Sequence, residues 1–173
     1  NYGLTQILGI DIDEGGPAAI TSILGQATQV YANSETLILA QPDWSWFERD
    51  VNSDRTAVHR FAVSSEMQRT PYQGSGFVPG VVNDQFSIDE QAGVTTDNLV
   101  RTLRLEDGGL GVIGQTPGLA EGERIFSARF LGDLGYIVTF RQVDPLFAID
   151  LSDPANPTVL GELKIPGFSD YMH

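Results

Sequence analysis

Four stretches of this 173-residue sequence carry side chains capable of chemistry or recognition. The densest is Pro42-Asp-Trp44-Ser-Trp46-Phe47-Glu-Arg49-Asp50, which holds both tryptophans of the chain among acids and an arginine. Aromatic rings on a loop stack on sugars or anchor a protein partner, because a wide apolar face comes with a polar edge. Trp44, Trp46, Phe47 and Arg49 are therefore the candidate binding residues. Rings folded back over the end of a sheet would give the same composition, and such packing is the commoner fate of large aromatics.

The second and third stretches are carboxylate runs, Asp11-Ile-Asp13-Glu14-Gly-Gly and Asp150-Leu-Ser-Asp153-Pro. Alternating acids supply oxygens of the kind Ca²⁺ takes, but a complete calcium loop continues to a distal glutamate. After the first run comes Pro17-Ala-Ala-Ile20 instead. Solvated turns built on Asp and Pro account for both runs more simply. Asp11, Asp13, Asp150 and Asp153 stand only as weak Ca²⁺ candidates, and no other cofactor is expected.

The fourth, Gly109-Leu-Gly111-Val-Ile-Gly114, matches the glycine string of dinucleotide sites. That string works only where a helix N-terminus follows to meet the pyrophosphate. Here Gln115-Thr-Pro117-Gly118 follows and forbids a helix at that point. A glycine-rich hairpin strand is expected. His59 and His173 are the only histidines, too far apart for a recognised metal spacing. A Ser-His-Asp set needs only proximity in space, yet no G-x-S-x-G elbow marks a nucleophile. His59, beside Arg60 in a strand-like run, is expected to serve structure or surface, and no catalytic residue is assigned.

The elements that must position these residues are short and repetitive. Pro-Gly closes a β-type run at Pro79-Gly80, Pro117-Gly118 and Pro166-Gly167, so the closing glycines fall 38 and 49 residues apart. A degenerate copy, Ile20-Thr-Ser-Ile-Leu-Gly25, lies 55 residues before Gly80. Strand-like runs precede each copy, at 5–11, 56–63, 98–105 and 145–150, and others follow at 28–32, 85–89, 124–130 and 169–172. A fourth run completes two units, at 36–40 and 136–141, where Tyr136, Val138 and Phe140 alternate as in a half-buried strand. Nineteen glycines and nine prolines punctuate these runs. Four strands repeated every 40 to 55 residues or so is the signature of β-propeller blades.

The expected fold is thus all-β, a β-propeller of four-stranded antiparallel blades. The units are 1–55, 56–97, 98–144 and 145–173, about three and a half blades. That is fewer than the roughly four a ring requires, so residues 1–173 are expected to be a partial propeller. Missing chain, or a homo-oligomer in which a second copy completes the ring, would close it. The start at Asn1, with no basic and apolar leader, likewise suggests a processed or partial chain.

Glu123-Arg-Ile-Phe-Ser-Ala-Arg-Phe130, the run from Gly135 to Pro154, and Val159-Leu-Gly-Glu-Leu-Lys-Ile-Pro-Gly-Phe168 resemble one family. It comprises secreted bacterial and archaeal proteins with a C-terminal β-propeller domain distantly related to WD40 repeats. Ser22–Gly25, Val30–Ala32, Leu37–Pro42 and Arg55–Phe61 fit the same family, so the resemblance covers most of the chain. It implies export and a propeller fold, and brings no catalytic residues to carry over.

Composition narrows the partners. Net charge is −13, with nine arginines and one lysine, Lys164. Such a surface repels phosphate, so nucleic acid and anionic membranes are poor partners. No apolar run is long enough to insert in a membrane, and the absence of cysteine excludes thiol chemistry and disulfides. The expected function is a non-enzymatic, exported interaction module, acting on a protein or glycan at the cell envelope through its blade loops. The alternative is a propeller hydrolase or lyase with a site assembled in the central channel.

Overall fold

A computed structural model describes residues 3–10, 19–42, 55–63, 70–82, 98–120, 123–140 and 144–165. Within them every regular element is a β-strand: β1 (Leu4–Gly9), β2 (Ala19–Leu24), β3 (Gln29–Ala32), β4 (Thr36–Pro42), β5 (Arg55–Ala62) and β6 (Tyr72–Pro79), followed by β7 (Arg101–Glu106), β8 (Gly109–Gln115), β9 (Arg124–Leu131), β10 (Leu134–Phe140), β11 (Asp144–Asp150) and β12 (Thr158–Ile165). Among these residues no helix is long and apolar enough to cross a membrane.

Turn chemistry sets the local pairing. The β7–β8 hairpin turns on Asp107 and Gly108, both at positive φ (50° and 78°), the conformation a tight two-residue hairpin demands. Gly132-Asp133 joins β9 to β10, with Leu131 opposite Leu134. Between β3 and β4 the Asn33 carboxamide oxygen accepts from the backbone N–H groups of Glu35 (2.9 Å) and Thr36 (2.8 Å), an Asx turn.

The strands assemble into three sheets: β1-β2, β3-β4-β5-β6-β8-β7 and β9-β10-β11-β12. The last is a complete antiparallel meander of four strands, the form of a propeller blade. In the second sheet β3 to β6 form a like meander, and β8 joins it by a single parallel bridge, Ser75 to Gly109. The sheets are out of phase with the sequence units, since the unit boundaries at 55/56 and 144/145 fall at β5 and β11, inside sheets.

Alternation along the strands divides each sheet into faces, and the second sheet packs through both of its own. Leu37, Leu39 and Phe61 lie on one face of the second sheet and pack with Ile7 and Ile23 of β1–β2. Ile38, Ala40, Val58 and Val78 form the other face, against Leu103 and Leu110 of β7–β8. This explains the unbroken apolar run Leu37-Ile-Leu-Ala40: a strand covered on both sides has no solvent face to mark with polar residues. The third cluster joins Val100 and Leu119 to Ile125, Ile137, Phe147 and Ile149 of the last sheet.

The alternation at Tyr136, Val138 and Phe140 predicts a strand buried on one side. Instead Ile137, Val138 and Thr139 are all buried, because β10 is covered on both faces through its centre. The Thr139 hydroxyl lies 2.5 Å from Glu123 Oε2, to which it donates.

Polar side chains brace the junctions. Arg101 of β7 donates to the Pro79 carbonyl (3.0 Å) and to Gln115 Oε1 (3.2 Å). Asn98 donates through its carboxamide to the carbonyls of Ala120 and Glu123, holding the segment that leads into the last sheet. The Thr102 hydroxyl donates to the Pro154 carbonyl, tying the β11–β12 turn to the β7–β8 hairpin.

Candidate functional site

Trp44, Trp46, Phe47 and Arg49 lie outside the described residues, but the strands that carry their segment are fixed. Pro42, at the end of β4, pairs with Thr56 at the start of β5, so the strands on either side of residues 43–54 are antiparallel neighbours. At the same end of the sheet, Arg55 opposes Pro79 and Ala57 opposes Phe77. The Arg55 guanidinium carbon sits 4.5 Å from the centre of the Phe77 ring, a cation–π contact on an exposed ring. Thr56 anchors the adjoining corner by donating to the Gly80 carbonyl at 2.7 Å.

The root of the aromatic loop thus carries a further aromatic–cationic pair that sequence reasoning missed. Phe77 stood in plain view within Gly74-Ser-Gly-Phe-Val-Pro-Gly80, read only as a repeat phrase. Its pairing with Arg55 depends on the β5–β6 register, which no local pattern displays. Among the described residues Arg55 and Phe77 offer a cation over an exposed ring, a pairing suited to stacking on a flat or aromatic group.

His59 takes a different role. It faces the same side of β5 as Phe61, opposite Leu39 and Ser75, and its ring lies 6.2 Å from that of Tyr72. Both ring nitrogens are shielded from solvent and, among the described residues, find no hydrogen-bond partner. Desolvation holds the imidazole below the ordinary histidine range. A neutral ring packed among Leu39, Phe61 and Tyr72 fits the structural reading of His59. Arg60, on the opposite face, donates to Gln73 Oε1 and to Thr36 Oγ1 (3.1 Å), bracing β4, β5 and β6.

A pH dependence follows. The folded pKa of His59 lies below its unfolded value of about 6.5, so the unfolded chain takes up the proton first as pH falls. Its contribution to stability is complete above that pH and is lost as pH falls toward the folded pKa. Acidification also relieves repulsion within a chain of net charge −13, which masks the effect in the wild type alone. The melting-temperature difference between wild type and His59→Gln is therefore expected to shift against the wild type between pH 7.5 and pH 5. A difference constant across that range would show that His59 does not titrate against folding.

Asp150 and Asp153 are turn builders. The Asp150 carboxylate accepts from the Ser152 N–H at 2.8 Å. That of Asp153 accepts from the Ala155 N–H (3.1 Å) and the Asn156 side chain (2.8 Å). These hydrogen bonds lower both carboxyl pKa values, Ser152 acting on Asp150 and Asn156 on Asp153. Among the described residues no three His, Asp or Glu side chains converge in the manner of a metal site. Asp11, Asp13 and His173 lie outside the described residues. Gly109, Gly111 and Gly114 fall on β8, a hairpin strand with no helix after it, so the dinucleotide string has no phosphate to meet.

The fold and its loops define a propeller-type β-protein, and comparison with known proteins gives the family. The chain belongs to the beta propeller domain family, whose model matches residues 1–173. It is similar to an uncharacterized protein of Archaeoglobus fulgidus, 43% identical over 125 residues, which cover 69% of this chain and 19% of that protein. It is also similar to an uncharacterized protein of Methanocaldococcus jannaschii, 46% identical over 110 residues, 57% of this chain and 18% of the relative. The chain thus spans about a fifth of the length of these curated relatives.

Proposed function

We propose that the chain is an exported, non-enzymatic interaction module that engages a protein or glycan at the cell envelope through the loop between β4 and β5. The observation that carries this reading is the Arg55–Phe77 pair at the root of the loop that bears Trp44, Trp46, Phe47 and Arg49. Trp44, Trp46, Phe47 and Arg49 in the segment between β4 and β5, with Arg55 and Phe77 on the strands beside it, have the composition that dominates binding hot spots. Negative charge over the rest of the chain disfavours phosphate-bearing partners. Among the described residues, Asp150 and Asp153 are engaged in turns and His59 in sheet packing. Export rests on the resemblance to secreted propeller proteins.

The test is a binding screen over immobilised glycans, Ca²⁺ and detergent-solubilised envelope proteins, run with the wild type and with Trp44→Ala/Trp46→Ala. The double variant is expected to lose at least about tenfold in affinity for whatever the wild type retains. Unchanged binding would reduce the aromatic loop to a structural element.

A further inference from the structure

The face of the second sheet that meets β1–β2 is covered only in part. Ile7 and Ile23 pack on Leu37 and Leu39 of β4 and on Phe61 of β5. The hairpin is tied down there by Gln41, which donates to the Leu24 carbonyl (3.5 Å), and by Thr21, which donates to the Thr70 carbonyl (3.3 Å). The next strand, β6, keeps part of the same face open. Cross-strand pairing sets Tyr72 beside Phe61, Ser75 beside His59 and Phe77 beside Ala57, so the three side chains share one side. Tyr72 is 49% exposed and Phe77 55%.

Surface aromatics scattered singly need no explanation. These two share a strand, and each has a partner that fixes its plane. Tyr72 meets Phe61 edge-on at 5.4 Å and lies 6.2 Å from His59. The Arg55 guanidinium stands 4.5 Å from the centre of the Phe77 ring. On the other face of β6, Gly74 and Gly76 let the backbone of β7–β8 come close, so the strand beneath the rings is braced. A ring already held in place loses little freedom when a partner stacks on it. The two rings stand roughly 15 Å apart along the strand, at about 3.3 Å per residue, with Ser75 between them.

Ring, hydroxyl and ring in line are the complement of a flat chain of sugars. A pyranose offers an apolar face of C–H groups to an aromatic ring and a rim of hydroxyls to polar side chains. Chains with equatorial links are ribbons, and a ribbon lies along a strand. Charge selects among them: a net charge of −13 repels uronic-acid and sulfated chains and favours neutral ones. A protein partner fits less well, because interface cores are contiguous apolar patches, and here a serine parts the rings.

We propose that the Tyr72–Ser75–Phe77 strip of β6 binds a neutral, equatorially linked glycan chain, the two rings stacking on separate sugar units. The strip rests on the reading of the β4–β5 corner for Phe77 and Arg55, narrows its partner to a glycan, and adds a second ring outside the loop.

The test is isothermal titration of cellohexaose and chitohexaose into the full-length protein, with hexagalacturonate as the charged comparison. Wild type, Tyr72→Ala, Phe77→Ala and Trp44→Ala/Trp46→Ala are compared. A neutral hexasaccharide is expected to bind and hexagalacturonate to fail, with Tyr72→Ala and Phe77→Ala each losing at least about tenfold in affinity. Loss in these two variants with the tryptophan variant unaffected would support the strip and count against the loop alone. The reverse, loss in the tryptophan variant with Tyr72→Ala unaffected, would overturn the strip and leave the loop reading standing. Failure of both neutral hexasaccharides to bind would also overturn it. Should Tyr72→Ala melt early through its lost contact with Phe61, Tyr72→Leu keeps apolar packing, removes the ring and gives the same reading.

Discussion

Replacing Gly76 with alanine is expected to split the β7–β8 hairpin from β6 and destabilise the fold by about 3 kcal/mol. A Cβ at this position would stand 1.8 Å from the Leu110 carbonyl oxygen and 2.8 Å from its carbon. The obstacle is backbone, so no rotamer change relieves it, and β6 and β8 must move apart by more than an ångström. That movement breaks the bridge between Ser75 and Gly109 and the hydrogen bond from the Ser75 N–H to the Gly108 carbonyl. It also opens the packing of Leu103 and Leu110 on Val58 and Val78. Gly111→Ala is the matched control, because a Cβ there meets nothing within 4 Å. Thermal denaturation should separate the two variants clearly, and hydrogen exchange should quicken in β7 and β8 only for Gly76→Ala. Equal melting temperatures would mean that β6 and β8 do not approach as described.

Phe61→Ala is the other large effect. Phe61 has no exposed surface, packs with Leu37, Leu39, Ile7 and Ile23, and meets Tyr72 edge-on at 5.4 Å. Removing a fully buried phenylalanine costs about 3–5 kcal/mol, from lost transfer energy and the cavity left behind. For a chain of this size that is a fall in melting temperature of roughly 10 °C. Because the cluster joins two sheets, β1–β2 should lose exchange protection before the β9–β12 sheet does. Phe77→Ala, truncating an exposed ring, is expected to change stability by under about 1 kcal/mol. If the two truncations proved equally costly, the division between the packed and the solvent-facing aromatic would be wrong.

Much of this architecture was legible in the residues. Asp107-Gly108 between Leu105 and Leu110, and Gly132-Asp133 between Phe130 and Tyr136, announce hairpins because their turn conformations admit few residue types. Short strand runs between Pro and Gly marked the all-β class for the same reason. The phase of the sheets was not legible. Which strands share hydrogen bonds depends on pairings distant in sequence, and a period of two is the same in every strand. The bridge between β6 and β8 is such a case: Gly74 and Gly76 mark a close backbone approach, but glycine in a strand names no partner. Ile137 and Val138 are both buried although they point to opposite faces of β10, and local alternation does not encode cover on both faces. In the candidate site, the aromatic loop stood out through composition alone. The Arg55–Phe77 pair and the burial of the His59 ring nitrogens arise from register and packing, which no local pattern displays.

The functional reading separates side chains that build turns from side chains that meet a partner. Asp150 and Asp153 spend their carboxylates on backbone and Asn156 donors within one turn, whereas Arg55 and Phe77, on the strands beside the 43–54 segment, present a cation over an exposed ring. The most direct test is one titration series with the partner retained in the binding screen, comparing wild type, Trp44→Ala/Trp46→Ala and Asp150→Ala/Asp153→Ala. The account predicts that only the aromatic variant loses affinity, by at least about tenfold, while the aspartate variant binds as the wild type does. Loss of binding in the aspartate variant, with the aromatic variant unaffected, would contradict it.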